Sequence, residues 1–462
     1  MPWGRSKLAA MPCRTAVAPV TFIPFWMDVN IPEGDDAMPN DWNVVRYNLD
    51  KTENFTEIYN SPYYTDAVYD KFSDAEYERR HTLAREMMKR ENLDALILPG
   101  GSNNRSHGAG VKWTSGLYDK RAISQYVVLP LEGEPMLVYS HPDIHLEATR
   151  RVVYIKDVRA AVGGKFGTVI ATRLEELGLQ EGRVGVTALD RSGPEYMGLM
   201  CYRQIMERLP NVNLVFLPEL LHEMLMIKSD EEIQAVKDSG RLMITCLEAI
   251  VEAARPGAYE YQLEAAATYA IMNNGGQVHF MIIGSTSMHD PKMIFPNPHP
   301  SKRVLKEGDV ILLEVTGGHK GYTAKIGHPI TIGPPTEAYN TFYKEVVVPG
   351  YKAIEDQIMP GKTLDDVRKA GSFFREKGEQ SRPILVHGID LITASPYIST
   401  DVIKGGAPDD LIKPGMTLSI EITPVKADGS FGIFLSRTYV ITDDGHLDVT
   451  PYPLDEIISV PS

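Results

Sequence analysis

Cysteine is scarce. Cys13, Cys201 and Cys246 are the three thiols of a 462-residue chain, and no pair of them has metal-ligand or redox spacing. The odd count argues against a disulfide scaffold and fits free thiols in a reducing cytoplasm. Basic clusters are absent as well: 47 Lys and Arg stand against 61 Asp and Glu, a formal charge of −14. Without a Lys/Arg run there is nothing to grip a phosphate backbone, so no nucleic-acid partner is expected. Long apolar runs are also missing. The nearest to one, from Ala16 to Met27 behind Arg5, Lys7 and Arg14, is broken by Pro19 and Pro24 and closed by Asp28. It lacks a small-residue cleavage site and is too short to span a bilayer, so it reads as an extended arm, with no membrane partner. Met11, Met27 and Met38 are alternative starts, and the sequons at Asn54 and Asn104 carry no weight in a cytoplasmic protein. Low-complexity segments and short repeats do not occur. What remains, with 43% apolar and 23% charged residues, is the composition of a soluble globular enzyme of two or three domains.

Residues 1–60, rich in Pro, Asn and Asp, show no sustained period and are expected to be an irregular arm. From Ser73, Ser-Asp-Ala-Glu is a capping-box pattern opening a helix through Lys89. Buried strands are expected at Ala95–Leu98, at Gln125–Leu131 paired with Pro135–Tyr139, and at Val184–Thr187, with helices at 167–177 and 196–208. This is an alternating α/β unit over 61–222. Ser229, with Glu232 three positions on, caps a long amphipathic helix that stops at Arg255-Pro-Gly. A second helix follows over 259–273. Strands and turns dominate beyond it, with one long helix over 337–357 and a short one after Thr363.

Several phrases in this second half recur in one family. Ile227-Lys-Ser-Asp-Glu-Glu-Ile, Leu305-Lys-Glu-Gly-Asp-Val-Ile-Leu-Leu-Glu, Gly321-Tyr-Thr-Ala-Lys, Val386-His-Gly-Ile, Ile412-Lys-Pro-Gly-Met-Thr-Leu-Ser-Ile-Glu and Val440-Ile-Thr-Asp-Asp-Gly resemble, in the same order, segments of the creatinase/prolidase/methionine aminopeptidase superfamily. The resemblance covers about residues 73–460. It implies an α+β chain: a smaller creatinase-type α/β domain over 61–222, then a pita-bread catalytic domain over 223–462. It also implies a homodimer in which the N-terminal domain closes the partner's site, with Gly100-Gly-Ser-Asn-Asn-Arg, Trp113 and Arg121 as the contributing region.

The family's metal enzymes hold two divalent ions with two Asp, one His and two Glu. Transferred by position, these places fall on Glu314, Lys325, His387, Glu421 and Ser436. Lys325 breaks the pattern. An ammonium has no lone pair to offer an ion and repels one, and its pKa would have to fall far before it could coordinate. Ser436 removes a further anion. The expectation is therefore no bound metal and no other cofactor. Creatinase is the family's precedent for hydrolysing a C–N bond without metal, a histidine shuttling protons while carboxylates grip a cationic substrate.

Two histidines compete for the shuttle, His299 and His289, although strict register from Arg303 puts Asn297 at that place. His387 and Glu421 complete the expected catalytic set, and Glu421, inside Leu418-Ser-Ile-Glu-Ile, needs a cationic partner that Lys325 supplies. Glu314, Lys325, His319 and Arg121 are the expected substrate-binding residues. The sign of the charge they grip stays open. The leading expectation is a metal-independent hydrolase of a small amidino, amide or cyclic amidine substrate. The alternatives are a lyase related to the dimethylsulfoniopropionate-cleaving member, a metal-dependent Xaa-Pro-type peptidase, and a non-catalytic pita-bread binding protein. The family's second catalytic histidine finds no counterpart in Ile389-Asp-Leu-Ile-Thr-Ala.

Overall fold

A computed structural model describes residues 68–101, 108–117, 123–140, 144–187, 196–391 and 393–462. The expected arm over 1–60 lies outside them, as does Arg121.

Helix α1 (Asp74–Arg90) starts where the capping pattern puts it, and Ser73 Oγ accepts from the Glu76 N–H at 3.1 Å. Only half of the box forms. Glu76 turns instead to Arg79 and Arg80, and the Ser73 N–H donates to Glu231 at 3.0 Å. The following elements are β1 (Ala95–Gly101), α2 (Ala109–Ser115), β2 (Ser124–Pro130), β3 (Met136–Tyr139), α3 (Ile144–Val152), β4 (Asp157–Ala160), α4 (Phe166–Glu176), β5 (Arg183–Val186), α5 (Leu199–Arg208) and β6 (Asn213–Phe216). Their sheet has the order β4-β3-β2-β1-β5-β6, antiparallel through β1–β2–β3 and parallel elsewhere. Helix α6 (Pro218–Met226) then spans the boundary expected at 222/223.

A complete capping box of Ser229 and Glu232 opens α7 (Asp230–Ala253), satisfying two donors that a helix N-terminus leaves orphaned. Helix α8 (Glu260–Asn273) follows. Strands β7 (Gln277–Ser287), β8 (Asp309–His319), β9 (Tyr322–Ile326) and β10 (Ile330–Ile332) form one curved sheet, closed by the C-terminal β19 (Ile458–Val460). The long helix expected over 337–357 runs unbroken from Glu337 to Glu355 as α9 (Glu337–Phe342), a π turn (Tyr343–Val347) and α10 (Val348–Glu355), with helical backbone angles at both junctions. Pro349, lacking an N–H, cannot continue the ordinary ladder, and the wider turn accommodates it. After α11 (Leu364–Ala370), α12 (Phe373–Glu376) and β11 (Gln380–Ser381) come β12 (Ile384–Ile389), β13 (Thr393–Ser399), β14 (Ile403–Lys404), β15 (Thr417–Ile422), β16 (Pro424–Val425), β17 (Leu435–Ile441) and β18 (His446–Asp448). The second large sheet has the order β14-β13-β12-β15-β17-β18.

Alternation along these strands creates the site. Ile311, Leu313 and Val315 of β8 and Ala324 and Ile326 of β9 pack in one apolar cluster with Met243, Leu247, Leu263 and Ile271 of α7 and α8. Leu418, Ile420 and Ile422 of β15 pack in another with Tyr351, Ile354 and Val367 of α10 and α11. With a two-residue period, the intervening side chains must point the other way. Glu314, Thr316, Lys325, Ser419, Glu421, Ser436 and Thr438 therefore form a buried polar layer between the two sheets. The sheets join where Gly327 bridges Ser436, and where the Lys325 N–H donates to Thr438 Oγ1 at 2.8 Å.

Gly240, inside α7, shows how tightly the layers fit. A Cβ there would sit 1.9 Å from the Val449 carbonyl oxygen. Beyond α7, a buried polar knot ties the two halves together. Arg80 reaches Glu76 at 2.7 Å and the Trp113 carbonyl at 3.0 Å, Trp113 Nε1 donates to Glu232 at 3.2 Å, and Tyr322 Oη donates to Glu232.

Candidate active site

Lys325 stands at the centre of the polar layer. Its Nζ lies 2.7 Å from Glu314 Oε1, within hydrogen-bond reach of Glu421 Oε2, and 3.1 Å from His387 Nε2. The other His387 nitrogen, Nδ1, is 2.7 Å from the Gly388 carbonyl and so carries a proton, while Nε2 lies between Lys325 Nζ and Glu421 Oε2, 3.2 Å from the latter. Two carboxylates and the imidazole thus surround the three N–H groups of the ammonium. Register explains the convergence: Thr316 pairs with Lys325 two residues along β8 from Glu314, and Glu421 pairs with Ser436, which bridges Gly327. The ring of Phe280, 5.5 Å from Nζ, covers it from β7.

The electrostatics follow from burial. Burial opposes the Lys325 charge, but the carboxylates of Glu314 and Glu421 outweigh it and hold the ammonium above its ordinary range. Burial likewise works against an ionised Glu421, yet Lys325 and His387 keep it far below the usual carboxylate range. Glu314 goes the other way: burial and the nearby Glu421 charge push its carboxyl up despite Lys325. The two acids thus differ: Lys325 and His387 hold Glu421 ionised, while Glu314 is the more readily protonated of the two.

The fit of a divalent ion can be judged from these donors. Among the described residues, no three or more His, Cys, Asp and Glu side chains group as a metal cage. The carboxylates and imidazole that would bind an ion are all turned onto an ammonium whose raised pKa keeps it charged. The donor set as it stands does not fit a dication.

The expected proton shuttles lie elsewhere. His289 is exposed, its backbone N–H on Ser287 Oγ at 3.2 Å, and its ring packs near Gly308 at the outer end of β8. His299 is exposed too, with its N–H on Asn297 Oδ1 at 3.0 Å. No hydrogen bond or ion pair among the described residues ties either to the Lys325 cluster. The loop joining β7 to β8 sets this arrangement by seating Asn297, at the family's histidine register, against Gly284. A Cβ on Gly284 would meet the Asn297 Cβ at 2.6 Å. His319 sits at the far end of β8, 2.8 Å from Asp70, and belongs to the surface. His328 is buried but structural: its Nδ1 accepts from Arg437 at 2.7 Å and its Nε2 donates to the Glu456 carbonyl at 3.0 Å. Trp113 belongs to the knot inside its own chain. Phe280 was missed in the sequence because nothing in an apolar strand marks which aromatic ring will face a buried cation.

A buried polar layer between two sheets, backed by helices on both outer faces and preceded by a separate α/β unit, defines the pita-bread class. Residues 234–443 match the model of metallopeptidase family M24, so the C-terminal half carries an M24 family domain. The "Uncharacterized hydrolase/peptidase y4tL" of Sinorhizobium fredii is 26% identical over 395 residues, covering 83% of this chain and 96% of its own. The creatinase of a Bacillus species is 22% identical over 396 residues, covering 83% and 92%. Among solved structures, the dipeptidase PepE of Mycobacterium ulcerans superposes with a TM-score of 0.66 at 23% identity, covering 85% of this chain and all of that one. The M24 domain is thus that of a family of hydrolases and peptidases. Among the described residues no helix is long and apolar enough to cross a membrane.

Proposed function

We propose that this protein hydrolyses the C–N bond of a small amide or short peptide, with the Lys325 ammonium permanently standing where relatives place divalent ions. The observation that carries this reading is the closed set of acceptors around Nζ: Glu314, Glu421 and His387. The relatives suggest two substrate types, peptides from the hydrolase/peptidase and a guanidino compound from creatinase. The fixed cation favours the first. Negative charge grows on a carbonyl oxygen as water attacks, and a fixed positive charge nearby stabilises it through its field, the N–H groups themselves being engaged by Glu314, Glu421 and His387. A guanidinium substrate would instead bring a second cation to a site that already has one. The amidino substrate expected from the sequence therefore moves to second place.

In this reading Glu314, its carboxyl raised by burial, takes a proton from the attacking water and returns it to the leaving nitrogen. Glu421 holds Lys325 in place, and His387 fixes it from the third side. A homodimer closed by the partner's N-terminal domain remains part of the proposal.

The test is turnover of dipeptides, N-acyl amino acids and guanidino compounds by wild type and Glu314→Gln. Hydrolysis of amides that persists in chelator and falls at least about 100-fold in the variant is expected. Cleavage that requires added manganese, cobalt or zinc would support the conventional metallopeptidase reading instead.

A further inference from the structure

The N–H groups of the Lys325 ammonium are engaged by Glu314, Glu421 and His387. Its field reaches a growing negative charge, but a hydrogen bond to that charge needs another donor. Thr316, Ser419, Ser436 and Thr438 are the hydroxyl side chains of the same buried layer. Three of them have partners inside the fold. Ser419 Oγ and Ser436 Oγ bond to each other at 3.2 Å. Thr438 Oγ1 accepts the Lys325 N–H at 2.8 Å and donates to the Lys325 carbonyl at 3.0 Å. Thr316 differs. The residue is 1% exposed, and its Oγ1 has no hydrogen-bond partner among the described residues.

Strand register places this hydroxyl. Thr316 stands two residues from Glu314 along β8, so the two side chains share a face. Across the ladders it pairs with Lys325 on β9 and with Phe280 on β7. Side chains directly opposite in an antiparallel pair have Cβ atoms about 5 Å apart. The hydroxyl is therefore flanked by the fixed cation, by the more readily protonated carboxyl and by an apolar ring. A buried hydroxyl without a partner destabilises a fold, and a catalytic role is one reason a fold retains one.

We propose that Thr316 is the oxyanion donor of this site: its Oγ1–H hydrogen-bonds the carbonyl oxygen of the scissile amide as that oxygen gains charge. This rests on the reading that the Lys325 cluster hydrolyses an amide. As the water oxygen bonds to the carbonyl carbon, the C=O π pair moves onto the carbonyl oxygen and Glu314 takes the water's proton. Thr316 holds the resulting anion within the field of Lys325. When the pair returns, the C–N bond breaks and the proton on Glu314 passes to the leaving nitrogen.

The experiment compares wild type with Thr316→Val, which removes the hydroxyl and nearly keeps the shape, and with Thr316→Ser, which keeps the hydroxyl. Each is melted calorimetrically and assayed for turnover of glycyl-alanine and N-acetylalanine. Each is also titrated with the phosphinic analogue of glycyl-alanine, whose tetrahedral anionic centre mimics the hydrated amide. Thr316→Val is expected to melt at or above the wild-type temperature, since no bond inside the fold is lost. Its kcat should fall about 100-fold or more while KM changes less than about threefold. Its phosphinate affinity should fall at least about 10-fold, and Thr316→Ser should restore most of both. A Thr316→Val protein that melts several degrees lower, or that keeps wild-type kcat and phosphinate affinity, overturns the assignment. Phosphinate binding that depends on the hydroxyl, with no turnover by wild type, leaves Thr316 assigned as the anion donor and removes the hydrolase reading alone. Neither turnover nor phosphinate binding by wild type overturns both.

Discussion

Replacing Lys325 with Met keeps most of the side-chain volume and removes the charge, so little of the effect comes from an empty cavity. It leaves Glu314 and Glu421 buried, with side chains 7% and 8% exposed, around an apolar group. Removing one partner of a buried ion set costs about 3–5 kcal/mol, because the remaining charges stay desolvated. For a chain of this size that lowers the melting temperature by roughly 3–5 °C near neutral pH. The deficit should shrink on acidification. In the wild type Glu421 has a depressed pKa, so its contribution is present above its unfolded pKa and is lost as pH falls through the folded one. In the variant both carboxylates favour the protonated form, which is less costly to bury, so lower pH relieves it. The triple variant Glu314→Gln, Lys325→Met, Glu421→Gln should regain most of the loss, since no lone charge is left. The assay is calorimetric melting at pH 5 and pH 8. A Lys325→Met protein that melts within about 1 °C of wild type at pH 8 would refute the reasoning.

Further outcomes follow from the same geometry. Lys325→Asp supplies Glu314, Asp, His387 and Glu421 as donors, so millimolar manganese should raise its melting temperature by several degrees while leaving wild type unmoved; equal responses would contradict this. Because the Glu314 carboxyl is raised, kcat should climb with pH to a midpoint above the ordinary 4.5; a rate already at its plateau at that pH would contradict its role as the base. Gly240→Ala should destabilise by about 2–4 kcal/mol against the Val449 carbonyl, although alanine is the better helix former by about 1 kcal/mol; a neutral melt would show that the helices can part. Ser229→Ala should cost about 1 kcal/mol by breaking the capping box.

Local signals carried much of the architecture. Ser229 with Glu232 marked the start of α7, and Arg255-Pro-Gly its end, because capping and proline act within a few residues. Leu418-Ser-Ile-Glu-Ile already showed that Glu421 alternates with apolar neighbours and must be buried with a partner. Lys325 as that partner was legible through the resemblance, which set both residues at one site. The proton shuttle was not. His299 and His289 were chosen by proximity in sequence, but the loop from Met288 to Arg303 has no period, and its packing of Asn297 on Gly284 depends on a contact no local pattern encodes. The π turn inside the helix over 337–357 could have been read from Pro349, whose missing N–H interrupts the ordinary ladder.

The most direct measurement is the metal content of protein that is demonstrably turning over an amide substrate, taken before and after dialysis against chelator. The account predicts less than about one tenth of an ion per chain and an unchanged rate, since a charged ammonium occupies the donors. Stoichiometric manganese, cobalt, iron or zinc, with activity that leaves and returns with it, would contradict the claim that Lys325 holds that place.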